Sequence, residues 1–332
     1  MQWYCNCALG AVLLALCRLL VTDAAAQAVS KPQGSDSQPL AEVQVTAPRL
    51  MDRRTLDHVI VPLFVQSHGE PSLTINQLGR WREGICPTTT GLLPEYNAFV
   101  SRKVLSIAKS VGAPAAEHAA KCRINLEIAF TPAPQQLLDH IATSYPRLLG
   151  LRPGRRFTRV IQAWYLTGTR SMIGGQRPVA GLNGPNIDAA AATALSPIIN
   201  GAQADSEFGA GLGGLGPSGI AGSHIGKDLS SEFLHVLVIV DAKSVAEYPL
   251  GAVSDYIAML ALTRMASLDT CSALPSIIDL FSSGCRARVA PDSLTEADAA
   301  FLKALYASKL DQNLNIERGD LHDRMLSGLT RH

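Results

Sequence analysis

The sequence has no excess of charge of either sign. Its 29 lysine and arginine residues are balanced by 28 aspartate and glutamate residues, and the formal net charge is +1. Proteins that bind nucleic acid or anionic lipid draw much of their affinity from a positive surface. We therefore expect no nucleic-acid partner and no dependence on a charged membrane surface.

Long apolar runs are missing after the N-terminus. No later stretch reaches about 18 consecutive apolar residues, the length that a membrane-spanning helix needs. Hydrophobic residues make up 47 % of the chain and charged residues 17 %, which is typical of a folded domain. The sequence predicts no transmembrane anchor once the N-terminal segment is removed.

The motifs of common hydrolases and zinc proteins are also lacking. There is no Gly-x-Ser-x-Gly, no Cys-x-x-Cys and no histidine pair flanking a glutamate at helical spacing. Gly211–Gly216 has the spacing of a dinucleotide-binding loop, but it lies in a glycine-rich stretch instead of between a strand and a helix. Ser106 and Lys109 have the spacing of envelope serine acyl enzymes, but they fall late in a predicted helix. We expect no cofactor and no metal site.

The N-terminus has the form of a secretory signal peptide. Residues 8–20 are apolar except for Arg18 and a cysteine, and the alanines at 24, 26 and 28 are the small residues that signal peptidase accepts. No lysine or arginine precedes the apolar run, and a buried N-terminal helix is the alternative. We expect residues 1–28 to be removed and 29–54 to form a flexible leader, which makes the mature protein periplasmic or secreted.

The cysteines fit an oxidising compartment. Three of the seven lie in the predicted signal peptide, and an even number remains for the mature chain. The remaining cysteines are Cys86, Cys122, Cys271 and Cys285. We expect two disulfides between sequence neighbours, Cys86–Cys122 and Cys271–Cys285, each adding about 3 kcal/mol of stability. The alternative, a four-cysteine zinc site, needs closely spaced ligand pairs that this chain lacks.

Periodicity predicts an α+β domain over residues 55–332. The expected fold is a mixed β-sheet with packed helices and a helical segment at the C-terminus. Strands are predicted at 59–66, 124–130, 160–166 and 233–240, and helices at 94–111, 132–144, 249–266, 295–309 and 316–329. Residues 171–228 are rich in glycine and alanine without periodicity, and they read as a disordered insertion or else a mobile loop.

Three polar residues interrupt apolar segments and are candidates for chemistry. His235 lies within a predicted central strand, and Asp241 follows it six residues later. Asp255 interrupts a helix that is otherwise apolar nearly all round. The three would form a hydrolase site if they met in one pocket. The structural alternative is a hydrogen-bonded core residue in each case, because a buried polar group needs a partner.

Residues 236–314 resemble the C-terminal half of a family of exported, uncharacterised proteobacterial proteins with a zincin-like pattern. The resemblance rests on VLVIVD, LGAVSDYIAMLAL, PSIIDLF and LTEADAAFLKALY, followed by NL. It implies a zincin-like fold, in which a strand precedes a helix that carries a His-Glu-x-x-Gln element in the family.

This chain departs from the family at that element. Ser254 and Asp255 stand where the resemblance would place histidine and glutamate, and Ala258 stands where it would place glutamine. Serine and alanine cannot replace imidazole as zinc ligands. The resemblance thus implies a metal-free relative, and we expect a non-catalytic protein that binds or scaffolds an envelope protein or ligand. The alternative is an envelope hydrolase with an unconventional site.

The predicted signal peptide can be tested on protein recovered from the envelope of expressing cells. We expect the mature chain to begin at Gln27 or Val29, because cleavage follows Ala26 or Ala28. Intact-mass measurement and N-terminal sequencing identify the first residue. A chain expressed from Val29 onward with a new initiator methionine should stay in the cytoplasm. Recovery of a chain that retains Met1 would contradict the prediction.

Overall fold

A computed structural model of the protein describes residues 52–72, 75–116, 122–144, 154–171, 179–180, 229–285, 290–310 and 312–330. They all belong to one compact unit, Met51–His332. The predicted signal peptide, the leader up to residue 51, Gly211–Gly216 and most of the predicted insertion lie outside the described residues.

The fold is built on a mixed β-sheet. Its strands are β1 (Arg80–Trp81), β2 (Pro87–Thr90), β3 (Leu126–Thr131), β4 (Ile161–Ser171), β5 (Val179–Ala180) and β6 (Leu229–Asp241). Their order is β2-β3-β6-β4-β5, and β1 also pairs with β6. The β1–β6, β2–β3 and β3–β6 pairs are parallel, whereas β4 is antiparallel to both β5 and β6. The predicted mixed sheet is therefore confirmed.

Six longer helices accompany the sheet in the described part of the chain. They are α1 (Val61–His68), α2 (Pro94–Ser110), α3 (Pro134–Ser144), α4 (Leu250–Leu262), α5 (Glu296–Ala307) and α6 (Leu314–Leu329). A capping box opens α5, because the Thr295 side chain accepts from the Asp298 N–H and Asp298 accepts from the Thr295 N–H. The five predicted helices correspond to α2–α6, and the C-terminal helical segment is confirmed.

Both sides of β6 are buried, and each side faces a different layer of helices. One side, which we call the α4 side, packs on α4 through Val236, Val238 and Val240, and α4 in turn packs on α2. The other, the α3 side, packs on α3 through Leu237 and Ile239. Since side chains alternate along a strand, a residue's position in β6 determines which layer it meets.

The predicted strand at 59–66 is wrong, because this segment is helical. A short α-turn (Arg53–Thr55) and a π-helical turn (Leu56–Ile60) lead directly into α1. Pro62 has no N–H and would clash with a carbonyl one turn earlier in a regular helix, and the wider π turn relieves that conflict. Val61, Phe64, Val65 and His68 are buried with helical spacing. Tertiary packing on this stripe overrides the β-branched composition.

Two disulfides join the sequence neighbours that were predicted to pair. Cys86 is bonded to Cys122 and Cys271 to Cys285, over sequence separations of 36 and 14 residues. Bridges of this kind are typical of proteins in oxidising compartments. Among the helices described, none is long and apolar enough to span a membrane.

A buried ion pair ties β1 to the helical hairpin of α5 and α6. The Arg80 guanidinium donates to Glu317, and the second Glu317 carboxylate oxygen accepts from the Leu78 N–H. Arg80 also donates to the Leu305 carbonyl at 2.6 Å and to Ser308 just after α5. Both charged side chains are at most 3 % exposed. Removing one partner would leave the other charge buried without compensation.

Substitution of this pair tests how strongly the hairpin depends on it. We expect Arg80→Met to lower the free energy of unfolding by about 3–5 kcal/mol, since Glu317 would remain buried and unpaired. The double variant Arg80→Met/Glu317→Leu should lose less than the single variant. Urea unfolding followed by circular dichroism measures both.

The control is Arg324→Ala, which removes a more exposed pair with Asp320 within α6. It should cost less than about 1 kcal/mol. If Arg80→Met and Arg324→Ala lower the free energy of unfolding equally, the buried pair contributes no more to stability than an exposed one.

Candidate functional site

A β-bulge in β6 determines where His235 points. Leu166 of β4 pairs with His235, whereas the next residue, Thr167, pairs with Phe233, and Leu234 is left without a partner in the ladder. Phe233 therefore belongs to the α4-side core, while His235 faces the α3 side with Leu237. If Leu234 were paired regularly in the ladder instead, Phe233 and His235 would share one side of the strand.

Glu127 lies beside His235 on the neighbouring strand. Leu126 and Ile128 of β3 face the α4-side core, and alternation turns Glu127 to the α3 side. Its Oε1 lies 3.2 Å from Nε2 of His235. Both side chains are at most 1 % exposed. Two adjacent, rigid strands thus bring a carboxylate and an imidazole together away from water.

The Glu127–His235 contact is close but is not a hydrogen bond. Neither carboxylate oxygen of Glu127 and neither ring nitrogen of His235 has a hydrogen-bond partner among the residues that the structure describes. The distance is that of an ion pair, but the ring N–H is not directed at the carboxylate. A buried polar group without a partner costs roughly 1–3 kcal/mol, and more if charged. This pair is therefore held at a cost to stability.

A second acidic group lies next along the same side of β6. Glu232 pairs with Gly168 across the ladder, and its Oε2 accepts from the Arg170 Nε at 2.9 Å. Arg170 also donates to the exposed Glu83 at 3.0 Å. Burial raises the pKa of Glu232, although Arg170 opposes the shift. Within the described parts of the chain, Oε1 of Glu232 has no hydrogen-bond partner. We refer to Glu127, His235, Glu232 and Arg170 as the β6 polar cluster.

The charges of the β6 polar cluster do not balance internally. It holds two carboxylates, while its one permanent cation, Arg170, already contacts Glu232 and Glu83. Glu127 therefore has only a protonated His235 as a possible cationic neighbour within the cluster. The unpartnered oxygens and nitrogens can accept from a donor or coordinate a cation. Such an arrangement suits ligand binding or proton transfer better than it suits core packing.

The structure does not bring the three candidates from the sequence together. Asp241 ends β6 and caps the following turn, where it accepts from the Lys243 N–H and the Ser244 hydroxyl. Asp255 lies in α4, on the opposite side of the sheet from His235, and accepts from the Leu294 N–H at 2.9 Å. No hydrogen bond or ion pair links any two of the three in the described structure.

A second histidine network looks like a catalytic triad but is fully satisfied. His68 Nε2 lies 3.1 Å from the Ser276 hydroxyl, which donates to Asp298 at 2.6 Å. Asp298 also accepts from the Ile277 and Thr295 backbone N–H groups. All three side chains are buried, and the serine lies between the other two. In a triad the nucleophile gives its proton to the histidine, whereas here the Ser276 hydroxyl donates to Asp298, so this network is structural.

A groove of about 460 Å³ lies between α1 and α6. One of its polar groups, His322, contacts the Asp57 side chain at 3.0 Å and Asp323 at 2.9 Å. It is lined by Asp57, His58, Pro62, Val65, Gln66, Arg318, Gly319 and His322. Since His322 already has two carboxylate partners, the groove offers a weaker functional signal than the β6 polar cluster.

Sequence reasoning found His235 but missed its partners. Glu127 alternates with apolar residues in the predicted strand at 124–130, a pattern typical of a strand with one exposed side, and the α3 layer buries that side. Glu232 lies just before the predicted strand, and Arg170 follows one. The signal for Glu127 is a charged residue whose neighbours on the adjacent strands are buried. Recognising it requires knowing which strands pair, and the sequence alone does not give this.

No family model, curated protein or solved structure significantly matches this chain. Functional inference therefore rests on the residues and their geometry.

The His68 network predicts a specific acid sensitivity. Burial lowers the pKa of His68 to about 3, whereas the unfolded chain takes up this proton near pH 6.5. The unfolded state then binds more protons between those values, and stability falls as the pH drops. From pH 7 to 5, we expect the wild type to lose about 2 kcal/mol relative to His68→Gln.

Urea titrations at both pH values measure this difference. Leu321→Ala is the control, because it removes buried apolar volume without a titrating group and should lower stability equally at both. A gap between wild type and His68→Gln that does not change with pH would show that His68 does not carry the effect.

Proposed function

We propose that this chain is an exported, non-catalytic binding protein of the cell envelope, and that its ligand binds at the β6 polar cluster. The observation that carries the proposal is the buried Glu127–His235 pair, in which both oxygens and both nitrogens lack hydrogen-bond partners among the described residues. Proteins keep unsatisfied buried groups mainly where function requires them, because packing alone would replace them with apolar side chains.

Export is part of the proposal. The N-terminal segment predicts secretion, and two disulfides suit a periplasmic or extracellular protein. The ligand or partner would then be a molecule of the envelope.

The proposal includes a zincin-like ancestry without the metal-binding residues on the helix. Ser254 and Ala258, at the positions of the family's histidine and glutamine, are fully buried in α4. The Ser254 hydroxyl donates to the Leu250 carbonyl at 2.6 Å. These contacts support a helix that is retained for packing, since fold alone does not imply activity.

Asp255, at the position of the family's glutamate, is also committed to structure. Its Oδ1 lies 3.2 Å from the Lys103 Nζ of α2, and its Oδ2 accepts from the Leu294 N–H. The carboxylate thus links α2, α4 and the loop before α5. We propose that it has exchanged a catalytic role for this link.

An envelope hydrolase is the second candidate, and the same pair favours it. A histidine beside a carboxylate can act as a general base once a substrate hydroxyl or water reaches it. Asp241 and Asp255 take no part, since both have structural partners. Hydrolysis of nitrophenyl esters or labelled casein by the mature protein, abolished by His235→Gln, would favour this candidate over the binding protein.

Stability measurements test whether the pair is kept for binding. We expect the double variant Glu127→Met/His235→Leu to raise the free energy of unfolding by about 1–3 kcal/mol, because it replaces unsatisfied polar groups with apolar ones of similar size. Urea unfolding of the mature, ligand-free protein gives the value.

The matched control removes a satisfied network of the same kind. Ser276→Ala/Asp298→Leu should lower stability, since it strips backbone N–H groups of their acceptor. A Glu127→Met/His235→Leu protein that is also less stable than the wild type would make the pair structural, and the binding proposal would lose its basis.

A further inference from the structure

We propose that Glu127 and His235 are two ligands of a divalent transition-metal ion of the zinc class. This inference rests on the proposed binding function and specifies its ligand. It is independent of the α4 positions where the resembling family carries its histidine and glutamate, because those lie on the opposite side of the sheet.

The separation of the two side chains fits coordination to one ion. Zinc binds imidazole nitrogen and carboxylate oxygen at about 2.0–2.2 Å, and two such bonds at the tetrahedral angle place the ligand atoms about 3.3 Å apart. Nε2 of His235 and Oε1 of Glu127 are 3.2 Å apart. The contact lacks hydrogen-bond geometry, so neither atom is taken up by the other.

Charge also favours a cation at this place. Glu127 is a fully buried carboxylate, and Arg170 is engaged by Glu232 and Glu83. A divalent ion would compensate Glu127 and would leave His235 neutral, which is the form of imidazole that binds metals. Glu232, on the same side of β6, has one oxygen without a hydrogen-bond partner among the described residues.

The donor types select among metals. Imidazole suits zinc, copper, nickel and iron, whereas calcium and magnesium prefer sites made entirely of oxygen. Two protein ligands leave positions open on a four-coordinate ion. A water or an anionic group of a bound molecule can fill them, and this is how a metal would serve a binding protein.

A rival group of ligand-type residues elsewhere in the fold carries no such inference. Cys271, Asp279 and Cys285 have ligand atoms within 4.8 Å of one another. The two sulfurs are bonded to each other, and Asp279 already accepts from the Ser272 N–H at 2.9 Å. Those atoms are committed, whereas no described residue is hydrogen-bonded to the side chains of Glu127 and His235.

Metal content of the mature protein is the first test. Tag-free protein purified from the periplasm should carry close to one equivalent of zinc by mass spectrometry. Chelator-treated protein should rebind zinc by calorimetry and should bind Co²⁺ with visible bands of nitrogen and oxygen coordination. Wild-type protein that holds no metal and binds neither ion overturns the inference.

Variants locate the ion. Glu127→Gln keeps the shape of the side chain and removes the charged ligand, and we expect it and His235→Gln to weaken zinc binding at least 100-fold. Asp255→Asn and His322→Gln are matched controls that should bind as the wild type does. Loss of binding in His322→Gln, with Glu127→Gln unaffected, would place the ion in the groove and overturn the assignment.

The outcomes also distinguish failure of the metal assignment from failure of the proposed binding function. If metal binding fails while Glu127→Met/His235→Leu is more stable than the wild type, the metal assignment falls and the cluster remains a site for another ligand. If that double variant is less stable as well, the binding function falls with it.

Discussion

Strand β6 is buried on both sides, and the fold depends on keeping water away from it. Its backbone hydrogen bonds go to β3 and β1 on one edge and to β4 on the other. Two separate helical layers cover its faces. A strand in this position is expected to be apolar throughout, as the run from Val236 to Val240 is. Any polar side chain along it then needs a specific explanation.

Three buried polar networks in the described part of the chain differ in how many of their groups have hydrogen-bond partners. The Asp298 carboxylate accepts from Ser276 and two backbone N–H groups, and Glu317 accepts from Arg80 and Leu78. Both networks join elements that are distant in the sequence, which gives them a structural purpose. Glu127 and His235 join strands that the ladder already holds together. The backbone hydrogen bonds between β3 and β6 already hold these strands together, so the pair is not needed for the architecture.

Much of the fold could be predicted from local patterns. Alternation in β3 and the apolar run in β6 identified two strands, and Thr295 with Asp298 identified the start of α5. The disulfides followed from cysteine count and proximity in sequence. Local composition misled at Val61–His68, where β-branched residues form a helix because packing on the core outweighs their intrinsic preference.

The candidate site was less predictable, for a physical reason. His235 stood out as a polar residue in an apolar strand, but Glu127 comes from a strand more than a hundred residues earlier, and parallel pairing brings them together. Asp255 looked equally suspicious, yet Leu294 and Lys103 account for it. A single sequence reveals which residues are unusual. It does not reveal which of them share a side of the sheet or which have found partners.

The unpaired residue Leu234 gives β6 two alternations that are out of phase by one position. Before it, Phe233 turns toward the aromatic residues Trp81 and Tyr165, and after it His235 turns the other way. The two halves of the strand can thus vary independently in evolution. A relative that lost Leu234 would keep Phe233 and His235 on their present sides in a strand without the bulge. A relative that kept this residue but paired it regularly would bring the two onto one side of the sheet. Whether the residue between them is bulged is therefore what a relative must share, along with the polar side chains, to form the same cluster.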